Sequence, residues 1–165
     1  MADVSAMCAA VSATLWLQRE ALEELLFKLV EEQLVVSTGA TRWLHRVDAE
    51  VRTSMERVQS GEVMRAAEVQ ALSTALDLDD DASLAELADA ASEPWSTLLH
   101  EHRAALRDLA FEVKGVAAEN SRLLEAGAKA VRQTLDSITS TVTTYDKAGG
   151  SVRSLRGPIL LDEQA

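Results

Sequence analysis

Apolar residues along the first part of the chain recur at alternating steps of four and three positions. Such steps place side chains on one side of an α-helix, as in coiled coils and helical bundles. Leu26 and Val30 widen this row, as expected for a helix that contacts more than one neighbour. Gly39 is suited to the position after a helix C-terminus, so the pattern predicts a helix over residues 3–36. The row consists of Val4, Cys8, Val11, Leu15, Gln18, Leu22, Leu25, Leu29, Glu32 and Val36.

A second row of the same spacing predicts a helix over residues 41–76. Around Gly61 the row loses its apolar character, because Glu62 and Arg65 occupy two of its positions. These two side chains would either pair with each other across one helical turn or mark a place where the row opens. The apolar members of the row are Leu44, Val47, Val51, Met55, Val58, Val69, Leu72 and Leu76.

An acidic run over residues 77–81 separates this helix from the next one. Ser83 followed by Glu86 is typical of a capping box, which predicts a short helix over residues 83–91. Pro94 then marks another helix start, since proline is tolerated only in the first turn.

The longest row predicts a third long helix over residues 93–138. From residue 137 the chain is rich in Ser and Thr, which are poor helix formers, so we expect the helix to fade there. Two consecutive glycines then introduce a flexible C-terminal tail over residues 149–165. The row contains Trp95, Leu99, His102, Leu106, Leu109, Val113, Val116, Asn120, Leu124, Ala128, Val131, Leu135, Ile138 and Val142.

Together these elements predict an all-α fold. Three long helices with short connections form an elongated antiparallel, coiled-coil-like bundle or hairpin, with one short extra helix. We expect a single helical domain over residues 1–148, followed by the tail.

Composition adds limits on partners and location. The chain has 165 residues and a formal net charge of −11, which disfavours binding to nucleic acid or to anionic membranes. No stretch is long and apolar enough to insert into a membrane, and no basic segment precedes the first apolar stretch as in a secretory signal. We therefore expect a cytoplasmic protein.

Catalytic and metal-binding chemistry finds little support. The lone Cys8 excludes an internal disulfide and a cysteine zinc site, and it lies on an apolar row where packing is the simpler role. His100 and His102 point to different sides of a helix, and His45 is far away in sequence. No phosphate-binding loop or nucleophile elbow is present. We expect no enzyme, no cofactor and no metal, and we interpret His102 as a partly buried polar residue.

The remaining candidate function is binding of other helices through exposed helix surfaces. The C-terminal half of the third long helix extends its apolar row beyond the reach of two shorter helices, so the row would be open to a partner helix. The alternative is that the row simply packs against the first two helices. Asn120 has an alternative as well, a buried polar group that fixes helix register. The tryptophans Trp16, Trp43 and Trp95 are interpreted as core anchors or plugs at the end of the bundle.

Four short motifs follow one another along the chain. They are Glu31-Glu32-Gln33-Leu34 leading into Thr41-Arg42-Trp43-Leu44, Pro94-Trp95 with Leu98-Leu99, Asn120-Ser121-Arg122-Leu123-Leu124, and Thr144-Tyr145-Asp146-Lys147-Ala148-Gly149. In this order, over residues 12–150, they resemble the FlgN family of flagellar export chaperones.

The resemblance implies a non-enzymatic cytoplasmic chaperone of the flagellar type III export apparatus. Such chaperones bind hook-associated proteins, of the FlgK and FlgL type, through the helical termini of these clients. They prevent premature assembly and bring the clients to the membrane protein of the export gate. The resemblance assigns gate docking to Tyr145 and the adjacent Asp146. It assigns client binding to the C-terminal helical part, with Asn120, Leu123, Leu124, Val131, Leu135, Ile138 and Val142.

A competing interpretation is a structural coiled-coil adaptor or a homo-oligomeric tether without an export role. It predicts a symmetric oligomer that buries the row over residues 124–142 against itself, whereas the chaperone interpretation leaves that row accessible. A weak homodimer is compatible with either.

Overall fold

The computed structural model describes residues 3–80 and 82–147, with side chains described as far as residue 137. Its long elements are α1 (Val4–Ser37), α2 (Leu44–Ala75) and α4 (Trp95–Lys147), and α3 (Leu84–Ala90) is the short extra helix. A single 3-10 turn, Thr41–Trp43, leads into α2. Within the described ranges there is no strand, which confirms the predicted all-α class. The chain divides into two units, residues 1–124 and residues 125–165, and each is described by itself.

The first helix begins and ends where its sequence provides caps. The Asp3 carboxylate accepts a hydrogen bond from the Ser5 backbone N–H at 3.0 Å. At the other end Gly39 has φ of +69°, and its N–H donates to the Val36 carbonyl at 3.2 Å. The N–H of the next residue donates to the Val35 carbonyl at 3.1 Å, which completes a Schellman motif. The predicted capping role of Gly39 is confirmed.

The second helix runs through Gly61 without a break. Glu62 does not turn toward Arg65; its Oε1 accepts a hydrogen bond from Nε2 of Gln18 in α1 at 3.3 Å. At the same level Glu62 and Arg65 line a hollow of about 290 Å³ between α2, α1 and α4, and Gly61 and Met64 line a separate groove of about 330 Å³ between α1 and α2. Of the two alternatives for this segment, the structure therefore shows the opening of the row.

The starts of α3 and α4 follow the expected signals with small shifts. Glu86 accepts a hydrogen bond from the Ser83 N–H at 2.7 Å, and the Glu86 N–H donates back to Ser83 Oγ at 3.3 Å, so the capping box is confirmed. The hydrogen bonds from Ser83 lower the pKa of the Glu86 carboxyl. The last helix begins at Trp95 rather than at residue 93, because Pro94 lies in the turn before it.

The end predicted for the last helix is wrong, since α4 continues through the Ser- and Thr-rich segment to Lys147. Hydroxyl side chains here bond to the preceding helical turn. Thr134 Oγ1 donates to the Ala130 carbonyl at 3.0 Å, and Ser137 Oγ donates to the Thr134 carbonyl at 2.9 Å. Low propensity costs only a few tenths of a kcal/mol per residue, about 0.7 at most, which is too little to stop a long helix.

The core of the first unit consists of two clusters. The first joins all four helices, with Trp95 and Leu106 packed at its edge. The second lies further along α1 and consists of Leu25, Leu29 and Val51, against which Val113 of α4 packs. Each fully buried Leu or Val contributes about 1.5–3 kcal/mol through removal of apolar surface from water. The buried members of the first cluster are Cys8, Val11, Leu15, Leu72, Leu87, Ala88, Ala91 and Leu99.

The tryptophans differ from one another. Trp95 packs on the first cluster and donates from Nε1 to Ser5 Oγ at 3.1 Å, as expected of a core anchor. Trp16 and Trp43 are about half exposed, so neither is a core anchor. Trp43 lies in the turn between α1 and α2, which agrees with the predicted alternative of a plug at the end of the bundle. The guanidinium of Arg19 lies 4.4 Å from the ring centroid of Trp16, and such stacking stabilises an indole at the surface.

Candidate functional site

The C-terminal part of α4 presents apolar side chains to solvent. In the second unit every described side chain, over residues 125–137, is exposed. Val131 is 60% exposed and Leu135 is 57% exposed, although both are large and apolar. They are four residues apart on one helix and therefore lie on the same side of it. This geometry provides a surface for a partner helix.

The other predicted contacts fall into three groups. Leu123 and Leu124, at the end of the first unit, are half-buried. Ile138 and Val142 continue the four-and-three spacing within the helical backbone, but their side chains lie outside the described residues. The side chains of Tyr145 and Asp146, predicted to dock to the export gate, also lie outside them.

Asn120 is placed differently from the exposed apolar positions, since it is buried inside the first unit. Its Nδ2 donates hydrogen bonds to the Leu29 carbonyl and to Glu32 Oε2, both at 2.8 Å. Glu32 is buried as well. This arrangement corresponds to the alternative interpretation of Asn120, a buried polar group that fixes the register of α4 on α1. Folded in this way, Asn120 has no surface to offer a partner.

His102 is also buried between α1 and α4, as the sequence interpretation expected. Ser12 Oγ lies 3.0 Å from His102 Nε2, and the Trp16 ring meets the imidazole edge-on with centroids 5.3 Å apart. Burial lowers the pKa of His102, and the charge of Arg19 lowers it further, while Glu101 acts weakly in the opposite direction. The imidazole is therefore neutral at physiological pH and acts as a packing and hydrogen-bonding group.

Titratable groups elsewhere are dispersed or engaged with one another. Over residues 3–80 and 82–147, no group of three or more His, Cys, Asp or Glu side chains is placed to hold a metal ion. His100 Nε2 lies 3.0 Å from an oxygen of Asp89 at the surface. Cys8 is buried in the first cluster, and burial raises the pKa of its thiol. Across the described helices, none is long and apolar enough to cross a membrane.

Charge is distributed very unevenly along the chain. Residues 1–94 contain 7 Lys and Arg against 18 Asp and Glu, a formal charge of −11, whereas residues 95–165 contain 9 of each and are neutral. Near the exposed Val131 and Leu135 the charges of the two signs are equal in number, with Lys129 and Arg132 against Glu125 and Asp136. The exposed apolar surface of α4 is therefore electrically balanced, and the acidic character belongs to the helices before it.

Sequence reasoning missed a second exposed apolar surface, on the solvent side of α1. It comprises Phe27, Val30 and Leu34. The signal was present as spacing at i, i+3 and i+7, offset from the buried row, but Val30 was interpreted as a contact with a further helix of the bundle. Spacing defines a side of a helix without saying whether that side is covered.

Comparison with known proteins identifies the family. No curated protein and no solved structure matches the chain significantly. The family described as FlgN protein matches residues 7–153, which is most of the chain. The match spans the exposed apolar surface of α4 and the four sequence motifs. The chain therefore belongs to the FlgN family, the flagellar export chaperones that its motifs resemble.

Proposed function

We propose that this chaperone binds hook-associated proteins in the cytoplasm and delivers them to the flagellar export gate. We define the client row as Val131, Leu135, Ile138 and Val142, with Leu123 and Leu124 at its N-terminal end. The observation that carries the proposal is the exposure of Val131 and Leu135, 60% and 57%, on a continuous helix. An amphipathic helix from a client covers such a row by packing its own apolar side onto it.

The proposed action on the client follows from the apolar side chains that the client terminus and the client row both expose to water. A free amphipathic terminus has an apolar side that drives early association with its assembly partners. Packing on the client row removes that side from water while the client remains bound. The formal charge of −11 in residues 1–94 keeps the complex soluble by repulsion between complexes. No chemical step is needed.

The energetics of the client row favour a reversible complex. Covering Val131, Leu135 and a matching pair of client side chains contributes at most about 6–12 kcal/mol, at about 1.5–3 kcal/mol each. Loss of translational and rotational freedom on association costs about 4 kcal/mol or more, and ordering of the client terminus costs more again. The difference corresponds to moderate affinity, which suits a client that must later be released for export.

Delivery to the gate is proposed to use the end of α4. Tyr145 and Asp146 lie within the last helical turn before Lys147, at the end of the client row. A tyrosine provides both an apolar ring and a hydroxyl, a combination suited to a small docking contact. Docking and client binding would then use neighbouring segments of one helix.

The direct test is co-elution with a purified hook-associated protein, measured by size-exclusion chromatography with light scattering. The full chain is expected to form a stoichiometric complex, and the variant Val131→Asp with Leu135→Asp is expected to lose it. Both substituted side chains are exposed, so far-UV circular dichroism should be unchanged. Phe111→Asp is the matched control, because Phe111 is 79% exposed on the same helix but lies outside the client row.

Two outcomes would contradict the proposal. One is a complex that survives both aspartates, which would exclude the client row as the contact. The other is a free chain that runs as a stable symmetric oligomer and becomes monomeric on these substitutions, which is what the structural tether predicts.

A further inference from the structure

The solvent side of α1 carries an apolar row that the proposed function does not use. Phe27 is 58% exposed, Val30 is 38% exposed and Leu34 is 59% exposed. Their spacing of three and four residues places them along about 10 Å of one side of the helix. We call Phe27, Val30 and Leu34 the outer row.

The packing of the bundle does not account for the outer row. The opposite side of α1 already supplies the core, with Leu25, Leu29 and Glu32 buried against α2 and α4. Single apolar side chains at a surface are ordinary, but three in register on one helix side are typical of a surface that receives another helix.

The outer row continues into a hollow where α1 meets the start of α2. Leu34 lines this hollow with Val35, Trp43 and Val47, and its volume is about 590 Å³. The half-exposed ring of Trp43 forms part of its wall, with the Arg42 guanidinium 4.9 Å from the ring centroid. A bulky apolar side chain on a partner therefore has an anchor point at the end of the row.

The charges around the hollow are already paired. Lys28 Nζ lies 2.8 Å from Glu31 and 2.8 Å from Glu50, and Arg46 Nε lies 3.1 Å from the same Glu50. The hydrogen bonds that Lys28 donates to these carboxylates raise its pKa, so the ammonium stays charged and paired. These two positive and two negative side chains neutralise one another around the hollow, so they provide no net charge for a partner to pair with.

Unpaired negative charge lies on the same side of α1 as the outer row, one to two helical turns before Phe27. Glu20 and Glu23 are exposed there, and neither forms an ion pair within the described residues. They belong to the part of the chain, residues 1–94, that carries the whole formal charge of −11. A partner that continues along α1 from the outer row therefore meets free carboxylates.

We propose that the outer row and the hollow form a second docking surface, for a cationic amphipathic helix of another protein. The apolar side of that helix would cover Phe27, Val30 and Leu34, and its Lys or Arg side chains would pair with Glu20 and Glu23. We take another protein rather than a second copy of this chain as the occupant, because a second copy brings a further formal charge of −11 in residues 1–94 and supplies no net positive charge for Glu20 and Glu23.

The inference does not depend on the client row. The outer row lies on α1 in the first unit, whereas Val131 and Leu135 lie on α4 in the second. The two surfaces also differ in chemistry, since the outer row is flanked by unpaired acids and the client row by charges of both signs. Variants at one surface can therefore be compared with variants at the other in the same full-length chain.

Two designed helical peptides serve as probes. Each is about 18 residues long, with leucines on one side; one carries Lys at the flanking positions and the other carries Glu there. Fluorescence anisotropy with the full chain is expected to show the Lys peptide binding at least about tenfold more tightly than the Glu peptide. Equal affinities would overturn the inference, because the surface would then select apolar character alone.

Substitutions place the binding on α1. Phe27→Ser with Leu34→Ser is expected to weaken the Lys peptide at least about tenfold, and Glu20→Lys with Glu23→Lys is expected to abolish the preference for Lys. Phe111→Ser is the matched control and should change nothing, since Phe111 is even more exposed, at 79%, and lies on another helix. All these positions are exposed, so circular dichroism should show an intact fold.

The remaining experiments compare variants of the client row with variants of the outer row, so that failure of this inference can be distinguished from failure of the proposed function. Val131→Asp with Leu135→Asp should leave binding of the Lys peptide unchanged; loss of binding would show that the peptide occupies the client row and would overturn the inference. Conversely, Phe27→Ser with Leu34→Ser should leave co-elution with a hook-associated protein intact. If the free chain dimerises through the outer row, light scattering will show a dimer that these serines abolish, and that result would also overturn the inference.

Discussion

Within the described residues, two buried side chains of α4, His102 and Asn120, form polar contacts with α1. Ser12 Oγ meets His102 Nε2 at 3.0 Å, and the Asn120 amide donates to Glu32 at 2.8 Å. Each gives a partner to one polar atom of a buried side chain, although His102 Nδ1 and Asn120 Oδ1 have none within the described residues. Each contact fits only one register of the two helices. Register errors are a common failure of heptad-patterned helices, so these contacts select the native alignment as well as contribute to stability.

The histidine contact makes the free energy of unfolding depend on pH. The pKa of His102 in the folded chain is lowered, mainly by burial and then by Arg19, from an ordinary value near 6.5. The unfolded chain therefore binds a proton more readily than the folded chain. The stabilising effect is complete above about pH 7 and is lost as pH falls from about 6.5 toward the lower folded pKa. Each unit of lowering corresponds to about 1.4 kcal/mol.

Denaturant unfolding at about pH 7.5 and about pH 5.5 measures this effect. The wild-type chain is expected to lose more stability between the two values than His102→Gln, whose amide still reaches Ser12 but does not titrate. Carboxylates contribute equally in both chains, so the difference isolates the imidazole. Parallel pH profiles would mean that the folded environment does not disfavour its protonation.

Helix ends in this chain are defined by local caps and helix lengths by packing. The Gly39 cap of α1 and the capping box of α3 were predicted from the sequence, because each depends on residues close together along the chain. The end of α4 was not, since weak propensities over residues 138–147 are outweighed by continuation of an established helix.

The burial of side chains was likewise predicted from the sequence only in part. Heptad spacing predicted the buried positions of α1 and of the first half of α4, including His102, because one covered side is enough to specify them. It was wrong for Met55 of α2, which is 46% exposed. It did not show that Trp16 and Phe27 face solvent, since exposure depends on which helices are neighbours and on which sides. For Asn120 the sequence left two roles open, and only the contact with Leu29 and Glu32 in the structure distinguishes them.

Two glycines give a matched test of the backbone argument. Gly39 has φ of +69°, and Gly61 lies inside α2; a Cβ added at either position meets no atom within 4 Å. Packing is therefore unaffected, and only backbone preference remains. Gly39→Ala should lower the free energy of unfolding by about 1–2 kcal/mol, because the left-handed conformation is strained for alanine. Gly61→Ala should raise it by about 0.5–1 kcal/mol.

Urea unfolding of both variants checks the signs. If Gly39→Ala proves neutral, the turn after α1 must rearrange to another conformation, and the Schellman hydrogen bonds of Gly39 and Ala40 would be dispensable. If Gly61→Ala destabilises the chain, α2 is not regular at the groove beside Met64.

Across the whole chain, the acidic charge is separated from the client row. Residues 1–94 carry the formal charge of −11, and residues 95–165, which include the client row, are neutral. A neutral binding segment avoids selecting clients by charge, and the acidic helices provide solubility without repelling an acidic client at the contact itself. The outer row of α1 has the opposite arrangement, because its apolar side chains adjoin the free carboxylates Glu20 and Glu23.

This separation predicts different responses to salt at the two proposed surfaces. At about 0.5 M salt the Debye length is near 4 Å, so exposed charges interact only with their immediate neighbours. Client binding is expected to change by less than about twofold between about 50 mM and about 500 mM NaCl, since apolar burial supplies its free energy. Binding of the Lys peptide is expected to weaken at least about fivefold, mainly through a slower association rate, since its ion pairs are exposed.

Titrations of the client and of the Lys peptide into the same full-length chain measure this difference in salt dependence. The variant Glu20→Lys with Glu23→Lys should remove the salt dependence of the peptide and leave that of the client unchanged. Strong weakening of the client complex by salt would show that its contact extends beyond the neutral row onto the acidic helices.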